Sequence, residues 1–87
     1  MAKPITARSG RSLSAEKAFG QVLRNIRESR DLSQEELAAR AGYHRTYIGQ
    51  LERGEKSPSL RTIFDLSATL KISPSVLIRR IERRRLA

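Results

Sequence analysis

The hydrophobic positions of this chain fall into five separate segments, and within each segment they recur at the three- and four-residue spacing of an amphipathic helix. Each segment begins after a residue that can cap a helix, and none shows the strict alternation of a β-strand. The predicted helices begin at about residues 14, 33, 44, 59 and 73. The pattern therefore predicts an all-α fold, a compact five-helix bundle.

The first two predicted helices have clear beginnings. Ser14 can cap helix 1, but Lys17 stands where a capping box needs Glu, so this cap is partial. Ser33 and Glu36 complete a capping box for helix 2, and Gly42 ends that helix because glycine adopts a left-handed turn at little cost. The predicted inner positions of the two helices are Phe19, Val22, Leu23 and Ile26, then Leu37, Ala38 and Ala41.

The last three predicted helices are also marked by turn and cap residues. Helix 3 runs from about His44 to Arg53 and is followed by Gly54. Ser59 caps helix 4, and Ser73 caps helix 5, with Pro74 at its first position. Their predicted inner positions are Ile48 and Leu51, then Leu60, Ile63, Leu66 or Ser67, and Leu70, and finally Val76, Leu77 and Ile81. These positions complete a single core.

Charge narrows the possible partners of the bundle. The chain has 87 residues, with 18 Lys and Arg against 9 Asp and Glu, a net charge of +9. Most of the basic residues are Arg, whose planar fork of donors suits phosphates and guanine edges. This balance favours nucleic acid over a membrane surface.

The chain lacks the residues that several classes of function require. The chain has no Cys, one His, no paired-carboxylate site and no Gly-rich phosphate loop. We therefore expect no enzyme, no cofactor, no metal and no small-molecule substrate. Apolar runs do not exceed three residues and no secretory signal follows the basic N-terminus, so we expect no membrane contact and a cytoplasmic, nucleoid-associated location.

Helices 2 and 3 have the sequence features of a helix-turn-helix. They lie within the run QEELAARAGYHRTYIGQLE, in which Ala38 is small where two helices must cross and Gly42 makes the turn. Ile48 and Leu51 anchor the second helix to the core. Two short helices joined by a tight Gly-containing turn form this motif, whose second helix fits the major groove of DNA.

The same stretch resembles the Cro/CI-type helix-turn-helix regulators, also called the XRE family. The resemblance covers roughly residues 15–80 and rests on LSQEELA, the Gly42 turn, the LERG end of helix 3, Pro58-Ser59-Leu60 before helix 4 and Ile72-Ser73-Pro74 before helix 5. RTYIGQLER is also similar to the restriction–modification controller proteins within this family. The resemblance implies a lambda-repressor-like fold and a sequence-specific transcriptional regulator that binds a palindromic operator in double-stranded DNA as a homodimer.

The resemblance implies that helix 3 contacts base edges through Arg45, Thr46, Tyr47 and Gln50. Arg45 suits guanine, Gln50 suits adenine, and Thr46 suits a thymine methyl group, a base or a phosphate. Tyr47 has three open interpretations: a phosphate contact, pressure on a deformable base step, or packing at the rim. The alternative for Arg45 and Gln50 is a solvated surface side chain, and the alternative for Thr46 is a residue that only stabilises the N-terminus of the helix. Tyr43 is assigned to packing at the turn.

The resemblance also implies backbone contacts and one structural pair. Gln34, at the start of helix 2, is expected to bind a phosphate, and Arg53 and Lys56 to lie near flanking phosphates. His44 is expected either near the helix cap or at a phosphate. Arg27 and Glu52 correspond to an ion pair that fixes helix 3 to the body of the domain. The expected residues are Gln34, His44, Arg53 and Lys56 for phosphate, and Arg27 and Glu52 for the pair.

The two ends of the chain are basic. Residues 1–14 are expected to form a flexible arm, residues 15–80 the DNA-binding domain, and residues 81–87 an Arg-rich end. The arginines Arg79, Arg80, Arg83, Arg84 and Arg85 are either a solvated, frayed terminus or a second contact to DNA backbone or an acidic partner. We expect the dimer surface in helix 5 and the region between helices 4 and 5, at Val76, Ile78 and Ile81.

Two other functions compete with this interpretation. The fold could serve as a protein-interaction module, such as an antitoxin or adaptor, and the basic ends could bind nucleic acid without sequence preference.

Overall fold

The computed structural model describes residues 13–86, so most of the predicted N-terminal arm lies outside the described residues. Five helices follow in order: α1 (Ala15–Ser29), α2 (Gln34–Ala41), α3 (Arg45–Glu52), α4 (Leu60–Leu70) and α5 (Pro74–Leu86). The described residues contain no strand, which confirms the predicted all-α bundle. No helix in this part of the chain is long and apolar enough to cross a membrane.

Serine side chains begin three of the helices, as the sequence predicts. The Oγ atoms of Ser14, Ser33 and Ser59 each accept a hydrogen bond at 3.0 Å from the backbone N–H three residues later. At α2 the bond is reciprocated, because Glu36 accepts from the backbone N–H of Ser33 at 2.8 Å. These bonds occupy N–H groups that have no partner within a helix. The pKa of Glu36 is lowered, chiefly by the hydrogen bond that its carboxylate accepts from the Ser33 backbone.

The turn between α2 and α3 depends on Gly42. Its φ is 84°, in the left-handed region that residues with a Cβ rarely adopt. The N–H groups of Gly42 and Tyr43 both donate to the carbonyl of Ala38, which closes the end of α2. The turn therefore directs α3 away from α2 within three residues.

All five helices enclose one core, and the inner positions predicted for α1, α2 and α3 are buried or partly buried. Leu60 is an exception, because its side chain is 71% exposed. Leu60 is the first residue of α4, and the buried residues of that helix, Thr62, Leu66, Ser67 and Leu70, all lie further along it. Leu60 instead shares its side of the helix with Phe64, which is 54% exposed.

Helix α5 closes the bundle against α1. Leu77 is fully buried, and Ile81 is partly buried against the same core. The helix continues through Leu86, so the predicted boundary at residue 81 falls inside it. Near its end, Leu13 donates its backbone N–H to the carbonyl of Arg85, and Nε of Arg85 donates to the carbonyl of Leu13, both at 3.1 Å. The two ends of the described chain are thus joined.

Candidate nucleic-acid interface

Helix α3 has a buried side and an open side. Ile48 and Leu51 are fully buried, whereas Arg45 and Thr46 in the first turn are exposed. Gln50, one turn later, is half-buried. His44 precedes the helix, is exposed, and makes no side-chain cap hydrogen bond. Arg45 and Thr46 therefore lie together on the surface of the domain, with donors and acceptors available.

Tyr47 lies between this surface and α4. It is half-buried against the core, its hydroxyl is 3.3 Å from Oγ1 of Thr62, and its ring centroid is 5.4 Å from that of Tyr43. Tyr43 donates to Asp65 Oδ2 at 2.6 Å, and this bond raises the pKa of Tyr43. Tyr43 thus packs at the turn, and the base contact of Tyr47 stays a prediction.

Arg27 and Glu52 form a two-pronged ion pair between α1 and α3. Nε of Arg27 lies 2.6 Å from Oε2 of Glu52, and Nη2 lies 3.0 Å from Oε1. Nη1 of Arg27 donates to the backbone carbonyl of Leu32 at 2.8 Å. Only 8% of Arg27 is exposed, and its hydrogen bonds to Glu52 raise its pKa. The pair therefore holds the end of α3 against the body of the domain, with all three guanidinium nitrogens engaged.

Close helix packing brings the pair together. A Cβ atom on Gly20, in the middle of α1, would lie closer than 3.0 Å to the backbone carbonyls of Leu51 and Glu52. No side chain larger than hydrogen fits there without moving α3. Gly20 therefore sets how near α3 lies to α1, a role that no local signal in the sequence indicates.

Gln34 extends the Arg27–Glu52 pair to the start of α2. Its Nε2 donates to Oε1 of Glu52 at 2.9 Å. An ionised carboxylate only accepts hydrogen bonds, so the amide nitrogen of Gln34 must face Glu52. A primary amide carries two N–H groups, and the second one remains for another acceptor. The sequence predicts a phosphate role for Gln34 but not this contact, because the two residues are 18 positions apart.

The other residues predicted to bind phosphate differ in their surroundings. Arg53 pairs with Glu55 through two bonds, Nε to Oε2 at 2.8 Å and Nη2 to Oε1 at 3.3 Å, and this pairing raises the pKa of Arg53 and lowers that of Glu55. Both side chains are more than half exposed, and Lys56 beside them is exposed. A cluster of cationic donors thus follows the end of α3, next to Gln34.

The arginines of α5 occupy a different part of the bundle. All five are exposed, and the helix that carries them packs mainly on α1 and α4, whereas α3 packs mainly on α1 and α2. Within residues 13–86, no three His, Cys, Asp or Glu side chains are grouped so that they could hold a metal ion.

The helix-turn-helix family HTH_3 matches residues 23–77 of this chain. The control protein C.BamHI of Bacillus amyloliquefaciens is 44% identical over 61 residues, which cover 69% of this chain and 75% of that protein. The control protein C.SmaI of Serratia marcescens is 40% identical over 62 residues, covering 71% and 74%. The crystal structure of the restriction–modification controller protein C.AhdI from Aeromonas hydrophila has 42% identity and a TM-score of 0.72, covering 75% of this chain and 98% of that one.

These comparisons agree with the geometry of α2 and α3, and they confirm the resemblance noted in the sequence. The match includes the turn at Gly42, the exposed first turn of α3 and the Arg27–Glu52 pair. The chain belongs to the helix-turn-helix family HTH_3, whose members are DNA-binding transcriptional regulators.

Proposed function

We propose that this chain is a control protein of the restriction–modification type that binds an operator sequence with α3 in the major groove. The observation that carries the proposal is the division of α3 into a fully buried side, Ile48 and Leu51, and an exposed first turn, Arg45 and Thr46. A helix anchored in this way can enter a major groove about 12 Å wide without loosening the core. The relatives named as control proteins support the same role.

The side chains on the open side of α3 suit particular bases. The guanidinium of Arg45 matches the O6 and N7 atoms of guanine, and the amide of Gln50 matches N6 and N7 of adenine. Thr46 offers its methyl group to thymine or its hydroxyl to a base or phosphate. Tyr47 contributes to base recognition only if its hydroxyl exchanges Thr62 for DNA.

The proposed phosphate contacts lie on both sides of the first turn of α3. Gln34 offers its second N–H group, and Arg53, Lys56 and His44 supply donors at the ends of α3. Such contacts fix the position of the protein on the duplex, whereas the base contacts select the sequence.

A second copy of the chain is the proposed partner on DNA. Helices α4 and α5 expose large apolar side chains, with Leu60 71%, Phe64 54% and Ile78 46% exposed. Ile78 also lines a groove of about 190 Å³, together with Phe19, Pro58, Ile63 and Ile81. Burying this surface between two copies would place two α3 helices on half-sites about 34 Å apart on a palindromic operator.

The oligomeric state can be tested directly. Phe64→Glu places a charge among the exposed apolar side chains, so it should convert dimers to monomers in sedimentation experiments. Gln21→Glu, which introduces the same charge at an exposed position of α1, serves as the matched control and should leave the dimer intact. A Phe64→Glu protein that sediments as the wild type does would remove α4 from the interface.

The proposed place of action is the cytoplasm, at the nucleoid, and the proposed role involves no chemical catalysis. The curated relatives carry the names of control proteins and transcriptional regulators.

Selection of binding sites from a random DNA library tests the function. The expected result is one palindromic motif whose half-sites are one helical turn apart. Arg45→Ala should lower affinity by about 1–3 kcal/mol and relax the preference at one position in each half-site. If selection yields no motif and the protein binds all DNA with equal affinity, non-specific binding by the basic ends replaces the proposal. If the protein instead binds a stoichiometric protein partner and no DNA, an interaction module is favoured.

A further inference from the structure

Gly49, in the middle of α3, has no side chain of its own, and its backbone is buried. Two polar side chains cover it. A Cβ atom on Gly49 would lie 3.1 Å from Nη1 of Arg53 and 3.6 Å from Oε1 of Gln34. The Arg53 guanidinium therefore extends back along α3, over the position four residues earlier, and lies on the same side of Gly49 as Gln34, the residue that begins α2.

A carboxylate holds each of these two side chains. Glu55 binds Nε and Nη2 of Arg53, which occupies one edge of the guanidinium. Glu52 binds Nε2 of Gln34 and is itself held by Arg27. Each side chain is thus oriented by a carboxylate without using all of its donors.

The two side chains that carry the remaining donors lie close together. Among the residues that the structure describes, Nη1 of Arg53 makes no hydrogen bond, and Nε2 of Gln34 makes one of its two. Both side chains come within 4 Å of the same point beside Gly49, Arg53 with Nη1 and Gln34 with Oε1, the oxygen bonded to the same carbon as the donor Nε2. A phosphate oxygen accepts hydrogen bonds from both an amide and a guanidinium, and a donor that is already oriented loses less entropy when it binds.

We propose that the missing side chain at Gly49 positions Arg53 beside Gln34, so that the two residues act together on one stretch of the DNA backbone. Gly49 is then a positioning residue for phosphate binding, and Glu55 and Glu52 are the groups that orient the two donors. This inference rests on the proposed DNA-binding function and adds a determinant of affinity that does not contact bases.

The geometry explains why α3 has a glycine at a helical position. Glycine lowers helix stability relative to alanine, so its presence on folding grounds alone is unfavourable. An alanine Cβ would press on Nη1 at 3.1 Å, which Arg53 can relieve by a small shift. A leucine would occupy the space where the guanidinium now lies and displace it.

A double-mutant cycle separates this role from a structural one. Gly49→Ala should raise the thermal midpoint by about 4 °C, because the helix gains propensity, while lowering DNA affinity slightly. Gly49→Leu should lower affinity about tenfold for operator and random DNA alike, reduce the slope of log K against log salt by about 1, and leave the selected motif unchanged. Gln21→Leu, at an exposed position of α1, is the matched control and should change neither the DNA affinity nor the salt slope.

The decisive comparison uses Arg53→Gln as the background. If Gly49 acts through Arg53, adding Gly49→Leu to Arg53→Gln should lower affinity by less than about twofold. An equal loss in both backgrounds, or no loss in either, would overturn the inference. If Gly49→Leu does not fold, as judged by its thermal melt, Gly49→Ala takes its place in the cycle. A smaller loss of DNA affinity in the Arg53→Gln background than in the wild-type background supports the inference. An equal loss in the two backgrounds, or no loss in either, overturns it. A wild-type protein without sequence preference would instead contradict the proposed function, which the Gly49 variants do not test.

Discussion

The buried ion pair between Arg27 and Glu52 gives the sharpest prediction about stability. The change is Glu52→Gln, which preserves the size of the side chain and removes its charge. In the wild-type protein the Glu52 side chain is 3% exposed, and that of Arg27 is 10% exposed. The variant leaves the guanidinium of Arg27 in the same place but facing a neutral amide, which can accept only through its one oxygen, so one of the two bonds to residue 52 is lost.

The expected cost follows from the burial of the pair. Removing one partner of a buried pair costs about 3–5 kcal/mol, because the remaining charge stays desolvated. The retained amide oxygen and the carbonyl of Leu32 keep the guanidinium partly satisfied, so we expect the lower end, about 3 kcal/mol. A domain of this length has roughly 4–13 kcal/mol of stability in total, so the loss is a large part of it.

Urea unfolding followed by circular dichroism measures this cost. With a denaturant slope of about 1 kcal/mol/M, the midpoint should fall by about 3 M. Glu55→Gln is the matched control, because Glu55 makes the same kind of paired contact to Arg53 on the surface, where solvent screens it. Equal midpoints for the two variants, or a loss below about 1 kcal/mol for Glu52→Gln, would refute the reasoning.

Three further predictions concern packing, pH and the basic end of the chain. Gly20→Ala should lower stability by about 2–3 kcal/mol in thermal melts, since the Cβ would press α1 away from α3; an increase would show that the helices can separate at no cost. Glu36 has a lowered pKa, so its contribution to stability is present above its ordinary pKa of 4.5 and is lost as the pH falls below that value. The thermal midpoint of Glu36→Gln should therefore depend less on pH in the acid range than that of the wild-type protein. Parallel curves for the two proteins would contradict this prediction. Replacing four exposed arginines of α5 by Gln should weaken binding evenly across DNA sequences and flatten its salt dependence, whereas loss of dimerisation would assign them to the interface. These four are Arg79, Arg80, Arg83 and Arg84.

The helix boundaries could be predicted because local chemistry determines them. Ser33 with Glu36 begins α2 as expected, and Gly42 ends it in the left-handed conformation that favours glycine. Asp31 and Lys71 follow the ends of α1 and α4 with φ of 57°, although neither is a glycine. There the packing of the flanking helices outweighs the intrinsic preference of the residue, so composition gives little indication.

Contacts between distant residues were harder to predict. The hydrophobic spacing placed Leu60 on the inner face of α4, but spacing does not show where neighbouring helices end, and Leu60 is exposed. The link from Gln34 to Glu52 and the arrangement of Arg53 over Gly49 depend on how α2 crosses α3. The family resemblance indicated the Arg27–Glu52 contact, yet not that Gln34 shares one of its oxygens.

The packing of α5 on α1 has a consequence for protein synthesis in the cell. The core stays open until Leu77 covers α1, and residues near 81 complete that cover. Because α1 also supports α3, the growing chain holds an incompletely packed helix-turn-helix until α5 has emerged from the ribosome. We therefore expect a nascent chain to bind DNA poorly until translation has passed the fifth helix.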